Sequence, residues 1–191
     1  MKDFYVNLAK NTVEEFVRRG KIISPPDNLP TEITQRKAGT FVSIHKKLPH
    51  PSPPEIFDGL EPPSPVEELR GCIGTYLPTQ KNIGKEIVRN AIDAATCDPR
   101  FPPISKEELP HLIYSVDILS EPEPTTKENL DPKKYGVIIQ ARDGRRGLLL
   151  PDLPGVDTVD QQISICRQKA WIAEDEPVTF YRFTVERHGK K

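Results

Sequence analysis

The sequence predicts an α+β fold in which an amino-terminal helix precedes two related β-β-α-β units. Three observations lead there. Strand-like and helix-like runs follow one another as strand, strand, helix, strand, and that order occurs twice. Gly71 and Gly144, Gly74 and Gly147, Leu77 and Leu150, and Pro78 and Pro151 each lie 73 positions apart, as an internal duplication requires. The 21 prolines, roughly 11% of the chain against a usual ~5%, cluster between these runs and mark the loops.

Residues 3–19 place Phe4, Leu8, Thr12 and Phe16 on one row and Tyr5, Ala9, Val13 and Val17 on the next, the four-residue spacing of a helix that Gly20 stops. After Pro25, Pro26 and Pro30, RKAGTFVSIHKK reads as a strand with Phe41, Ser43 and His45 on one face and Thr40, Val42 and Ile44 on the other. Residues 49–65 cannot sustain a ladder of backbone hydrogen bonds and read as an extended Pro-rich insertion, with Ile56, Phe57 and Leu60 as its anchors. A strand then runs from Leu69 to Leu77, with Cys72, Gly74 and Tyr76 on one face and Ile73 and Thr75 on the other. Ile83, Ile87, Ala91 and Ala94 form a helix whose small residues let it sit close to a sheet, and LIYSVDIL closes the first unit as a mostly buried strand.

The second unit answers in the same order. GVIIQAR (136–142) is a strand, RDGRRG (142–147) a tight hairpin turn, and GLLLP a second strand. Val159, Ile163, Cys166 and Ala170 mark the helix, Trp171 at its end reads as a core or interface anchor, and VTFYRFTVE is the last strand. The whole, 1–191, is one domain, with the first repeat at about 36–120 and the second at about 134–187.

With 27 Lys and Arg against 28 Asp and Glu, the net charge of -1 argues against a bulk polyanion target, and the basic runs RKAG, HKK, RDGRR and RHGKK read as solvated turns rather than a nucleic-acid face. No apolar run approaches the ~20 residues that span a bilayer, and charges interrupt the amino terminus where a secretory signal needs an apolar stretch. Cys72, Cys97 and Cys166 are an odd, widely spaced set that suits a reducing, cytoplasmic setting. His45, His50 and Cys72 lack metal-ligand spacing, and His111 and His188 read as surface histidines without a triad partner.

The site falls where the two halves differ. LRGCIG (69–74) puts an arginine, a thiol and two glycines at one strand end. Arg70 offers a bidentate fork to a carboxylate or phosphate, Gly71 and Gly74 let a ligand approach the backbone, and Cys72 is a possible nucleophile. A turn glycine, a surface arginine and a small buried cysteine explain the same residues.

LRGCIGTYLP, the Ala-rich helix, CDPRFPPISKEELP, SVDIL and RRGLLLPDL, in that order, make the chain resemble the AMMECR domain family over nearly its whole length. The resemblance implies a cytosolic α+β protein with a larger and a smaller lobe and a cleft at the RGCIG segment. Carried over, its signature falls on Arg70, Gly71, Cys72, Ile73 and Gly74 and on Asp98, Pro99, Arg100 and Phe101, two segments that should face one cleft. Asp98 and Arg100 serve equally as an internal salt bridge or as orienting groups. Insertion 49–65 departs from the family pattern, and Phe57 and Asp58 are the contacts a lid would use. The family's association with Memo-like and radical SAM proteins makes these the implied partners, with no particular cofactor. Two readings follow: a small-molecule enzyme or binder of an anionic ligand at Arg70–Gly74 and Asp98–Phe101, or a non-enzymatic adaptor that holds a protein partner.

Overall fold

The protein is described by a computed structural model that covers residues 3–48 and 67–189. The Pro-rich insertion, with His50, Phe57 and Asp58, lies outside the described residues. The chain divides into two compact units, the first running to Asp117 and resuming at Arg187, the second spanning Ile118–Glu186.

In the first unit, helix α1 (Phe4–Arg19) begins where the Asp3 carboxylate accepts the Tyr5 and Val6 N–H groups, and ends at Gly20, whose φ of 67° is the left-handed stop that glycine adopts most easily. Its buried stripe is Leu8 and Thr12 from one expected row and Tyr5, Ala9 and Val13 from the other, while Phe4 faces solvent. The short α2 (Thr31–Gln35) buries Ile33. Strands β1 (Thr40–Lys47), β2 (Glu67–Thr75), β3 (Leu112–Leu119) and β8 (Val185–His188) form a sheet in the order β2-β1-β3-β8. Helix α3 (Ile83–Thr96), capped by the Asn82 side chain, lies across β1 and β2, and α1 packs against it. The faces of β1 fall as expected, with Thr40, Val42 and Ile44 buried.

A carboxylate fixes the far end of β2. Glu86 on α3 is fully buried and accepts from the Thr75 and Thr79 hydroxyls and from the Thr79 and Gln80 N–H groups, all at 2.7–2.8 Å. Four donors offset the desolvation of its charge and tie the segment after β2 to α3.

The second unit has β4 (Glu123–Thr125), β5 (Gly136–Ala141), β6 (Arg146–Leu149) and β7 (Val178–Phe183) in a sheet of order β4-β7-β5-β6, with helix α4 (Val159–Ala170) packed on β5 and β6. Its core holds Val137, Ile139, Leu149, Val156, Ile163, Cys166 and Ile172. The β5–β6 turn is tight, with Gly144 at φ 92°, and α4 starts with a reciprocal cap between Thr158 and Gln161.

Three expectations need correction. VTFYRFTVE is two strands, not one: β7 belongs to the second sheet and β8 to the first. The change is fixed at Thr184, whose N–H donates to Ser120 Oγ and whose carbonyl accepts from Ser120 N–H. The 73-residue spacing also fails as a structural register, because Gly144 is in a turn whereas Gly71 lies inside β2. The residue that shares Gly71's place is Gly147. A Cβ on Gly71 would collide with the Ala94 carbonyl of α3, and one on Gly147 with the Cys166 carbonyl of α4. Finally, Trp171 is no anchor. It is 88% exposed and holds the left-handed C-cap of α4 at φ 55°.

Candidate functional site

β2 is an edge strand, so alternate backbone N–H groups point away from β1 and need partners elsewhere. Opposite Ile44 stands Gly71 and opposite His45 stands Leu69, which leaves Arg70 as the extra residue of a β-bulge. From there to Thr75 the strand alternates as the sequence requires. Gly71 presses on α3 and Thr75 reaches Glu86, while Cys72 meets Ser43 and Gly74 lies under Phe41 on the other face. The bare sides of Gly71 and Gly74 are thus filled by the protein itself, by the α3 backbone and by the Phe41 ring. That supplies a packing reason for both glycines in place of ligand access.

The two signature segments meet at Cys72. Its N–H donates to Asp98 Oδ2 at 2.8 Å, so the carboxylate that follows α3 satisfies an outward donor of the edge strand. Arg100 grips the same carboxylate, Nε to Oδ1 at 2.9 Å and Nη2 to Oδ2 at 2.7 Å, and its own N–H adds a contact at 3.1 Å. These donors hold the Asp98 carboxyl well below the usual carboxylate range, the Arg100 side chain contributing most. The side chain of Asp98 is 2% exposed and that of Arg100 54%, so one end of the pair is sealed and the other open.

Arg70 is differently placed. Its fork is occupied by Glu108, Nε to Oε1 at 2.8 Å and Nη2 to Oε2 at 3.1 Å, with only 12% of the side chain exposed. Lys46 also reaches Glu108, at 3.4 Å. The Glu108 pKa is drawn down to about 2, first by the Arg70 hydrogen bonds and then, against the opposing cost of burial, by the Ser105 N–H and the nearby cations. The guanidinium carbons of Arg100 and Arg70 lie 5.4 and 5.8 Å from the Phe101 ring centre, so this ring supports both cations. Three cations, Lys46, Arg70 and Arg100, therefore face two carboxylates, Asp98 and Glu108.

Cys72 Sγ lies 3.1 Å from the Ser43 hydroxyl, which donates to it. Burial pushes the thiol pKa up, against lowering by Ser43 and Arg100, so the resting sulfur keeps its proton at neutral pH. Asp117 of β3, whose carboxyl is itself raised by burial, acts on the same thiol through its charge and is held by Arg187 of β8 at 3.0 Å. Among the described residues no group of three His, Cys, Asp or Glu side chains could hold a metal ion. His188, expected at the surface, stacks on Tyr5 at 3.8 Å between ring centres and places Nδ1 3.2 Å from the Asp3 carboxylate, because β8 carries it into the first sheet.

Sequence reasoning missed Ser43, Glu108, Asp117 and Arg187 as members of the cluster. Ser43 was already on the correct face of β1, and Glu108 lies in the KEELP run quoted for the resemblance, but no local spacing joins either one to Cys72 or Arg70.

The AMMECR1 family model matches residues 6–188. The chain belongs to that family. A Thermotoga maritima protein is 51% identical over 186 residues, covering 96% of each chain. A Clostridium acetobutylicum protein is 43% identical over 98% of this chain, which spans only 36% of that longer relative. The crystal structure of an uncharacterized protein from Pyrococcus horikoshii superposes with a TM-score of 0.78 at 30% identity, covering 96% of this chain and 88% of that one. The AMMECR1 assignment thus comes with the α+β architecture of a solved relative. No helix among the described residues is long and apolar enough to cross a membrane.

Proposed function

We propose that the chain binds a small anionic ligand on the Cys72 face of its first sheet, with Arg100 receiving the charge and Cys72 as the reactive group beside it. One observation carries the reading: Arg100 is fixed by a sealed carboxylate yet keeps half its side chain in solvent, and the carboxylate oxygen that holds its Nη2 also accepts the Cys72 N–H. The surplus of one cation in the Lys46, Arg70, Arg100, Asp98 and Glu108 cluster favours an anion there, and a protonated thiol does not repel it. Arg70 and Glu108 brace the segment, Phe101 is the platform for both guanidiniums, and Gly71, Ile73 and Gly74 frame Cys72. Three free cysteines fit a cytoplasmic setting.

The test compares iodoacetate with iodoacetamide on the full chain carrying Cys97→Ser. In both reagents the sulfur loses its proton to solvent and displaces iodide, and dividing each rate by that of free cysteine removes their difference in intrinsic reactivity and leaves the charge. Relative to free cysteine, Cys72 should prefer the anionic reagent, Arg100→Gln should remove that preference, and Arg100→Lys should restore part of it. Equal relative rates, or a Cys72 that reacts only on unfolding, would overturn the reading and turn the search to protein partners, with Memo-like and radical SAM proteins first.

A further inference from the structure

A concavity lies between the segment that follows α1 and helix α3, within the first unit and away from Cys72. The segment that follows α1 crosses the outer surface of α3, and it seats where the helix has no side chain: a Cβ on Gly84 would stand 3.2 Å from the Pro25 ring. Beyond that seat the segment stands off from the helix and leaves an open groove of about 370 Å³. Ile22, Ile23, Pro25, Val88 and Ile92 make its apolar lining. Ile22 is 66% exposed and contributes apolar surface to the groove.

The charges at the groove are unequal. Arg89 is engaged by Asp93 at 3.6 Å and by the Thr79 hydroxyl at 2.9 Å. Lys85, one turn earlier on the same face, makes no side-chain hydrogen bond or ion pair among the described residues. The groove therefore offers an apolar floor, one uncompensated ammonium at one end and a neutral Arg89–Asp93 pair further along. Volume and lining of this kind are those of small-molecule sites, in which few polar groups set orientation.

We propose that this groove binds a small amphipathic monocarboxylate, its head on Lys85 and its alkyl chain along Ile22, Val88 and Ile92. A single ammonium matches a single negative charge, and the Arg89–Asp93 pair, neutral as a whole, offers no second net cation for a dianion such as a phosphate monoester. The proposal is independent of the Cys72 site.

Octanoate is the probe, titrated into the full chain by calorimetry, with octylamine and butyrate as comparators. Octanoate should bind saturably, octylamine should lose the charge contact and butyrate most of the apolar one. Lys85→Gln should weaken octanoate about tenfold, the scale of one charge-assisted hydrogen bond. Ile22→Asn should weaken it too, and both side chains are exposed enough that neither change disturbs the core. Octylamine binding as well as octanoate, octanoate binding indifferent to both substitutions, or no saturable binding at millimolar ligand would each overturn the proposal. So would a concentration-dependent dimer that Ile22→Asn abolishes, since a second copy would then be the occupant.

Discussion

Glu108 joins three otherwise separate stretches of chain, because Lys46, Arg70 and the Ser105 N–H all converge on its carboxylate. Its folded pKa of about 2 lies below the unfolded 4.5, so the stabilisation is complete above about pH 5 and drains away as pH falls toward 2. With the side chain 17% exposed, its contribution at neutral pH is on the order of 3 kcal/mol. Glu108→Gln should therefore lower the denaturation midpoint at pH 7, and the gap to wild type should close between pH 5 and pH 2. Urea unfolding at several pH values measures this, since an uncharged denaturant leaves the ion pair unscreened, and a gap that does not change with pH would exclude the ion pair as its source. This pairing was not legible from the sequence. Arg70 looked like a free fork because strand alternation says nothing about a bulge, and its carboxylate partner lies 38 residues away. The face of Cys72, by contrast, followed from simple alternation, since no irregularity falls between it and Thr75.

At the scale of elements, each unit brings a strand glycine, one in β2 and one in β6, against a helix backbone. Gly71 lies beneath Ala94 of α3 and Gly147 beneath Cys166 of α4. A methyl group at either place forces strand and helix apart, and the obstacle is backbone, which cannot rotate away. Gly71→Ala and Gly147→Ala should each cost about 3 kcal/mol, at the upper end of overpacking changes. Gly144→Ala meets no neighbour and should cost only the ~1 kcal/mol of its left-handed turn, so thermal unfolding of the three variants separates close packing from turn geometry. Helices and their stops were legible because apolar spacing and Gly20 act locally. The pairing of Gly71 with Gly147 was not, since the units differ in the length of their hairpins and no constant offset survives that difference. Trp171 misled for a related reason. Hydrophobicity predicts burial on average, but the residue sits at the left-handed cap of α4, where the chain leaves the helix and the side chain is turned to solvent.

Over the whole molecule, the second unit is an insertion in the first, entered within β3 and left within β8. The α+β class and the order of strands and helices were readable from hydrophobic period. The allegiance of β8 was not, because VTFYRFTVE is one unbroken strand-like run and only Ser120 shows where it changes sheets. β8 also supplies Arg187, the partner of the buried Asp117 carboxylate. Arg187→Gln should destabilise the fold by about 3 kcal/mol at neutral pH, the scale of breaking a buried pair, and Asp117→Asn in the same chain should recover much of the loss. Thermal melts of the single and double variants check this, and additive losses would show that the two side chains act independently. The same return of the chain sets an order in time. A ribosome makes the first unit's helices and three of its strands early, but the fourth strand and the cation for Asp117 emerge only after the whole second unit has been translated. The part of the protein made first is therefore the part finished last.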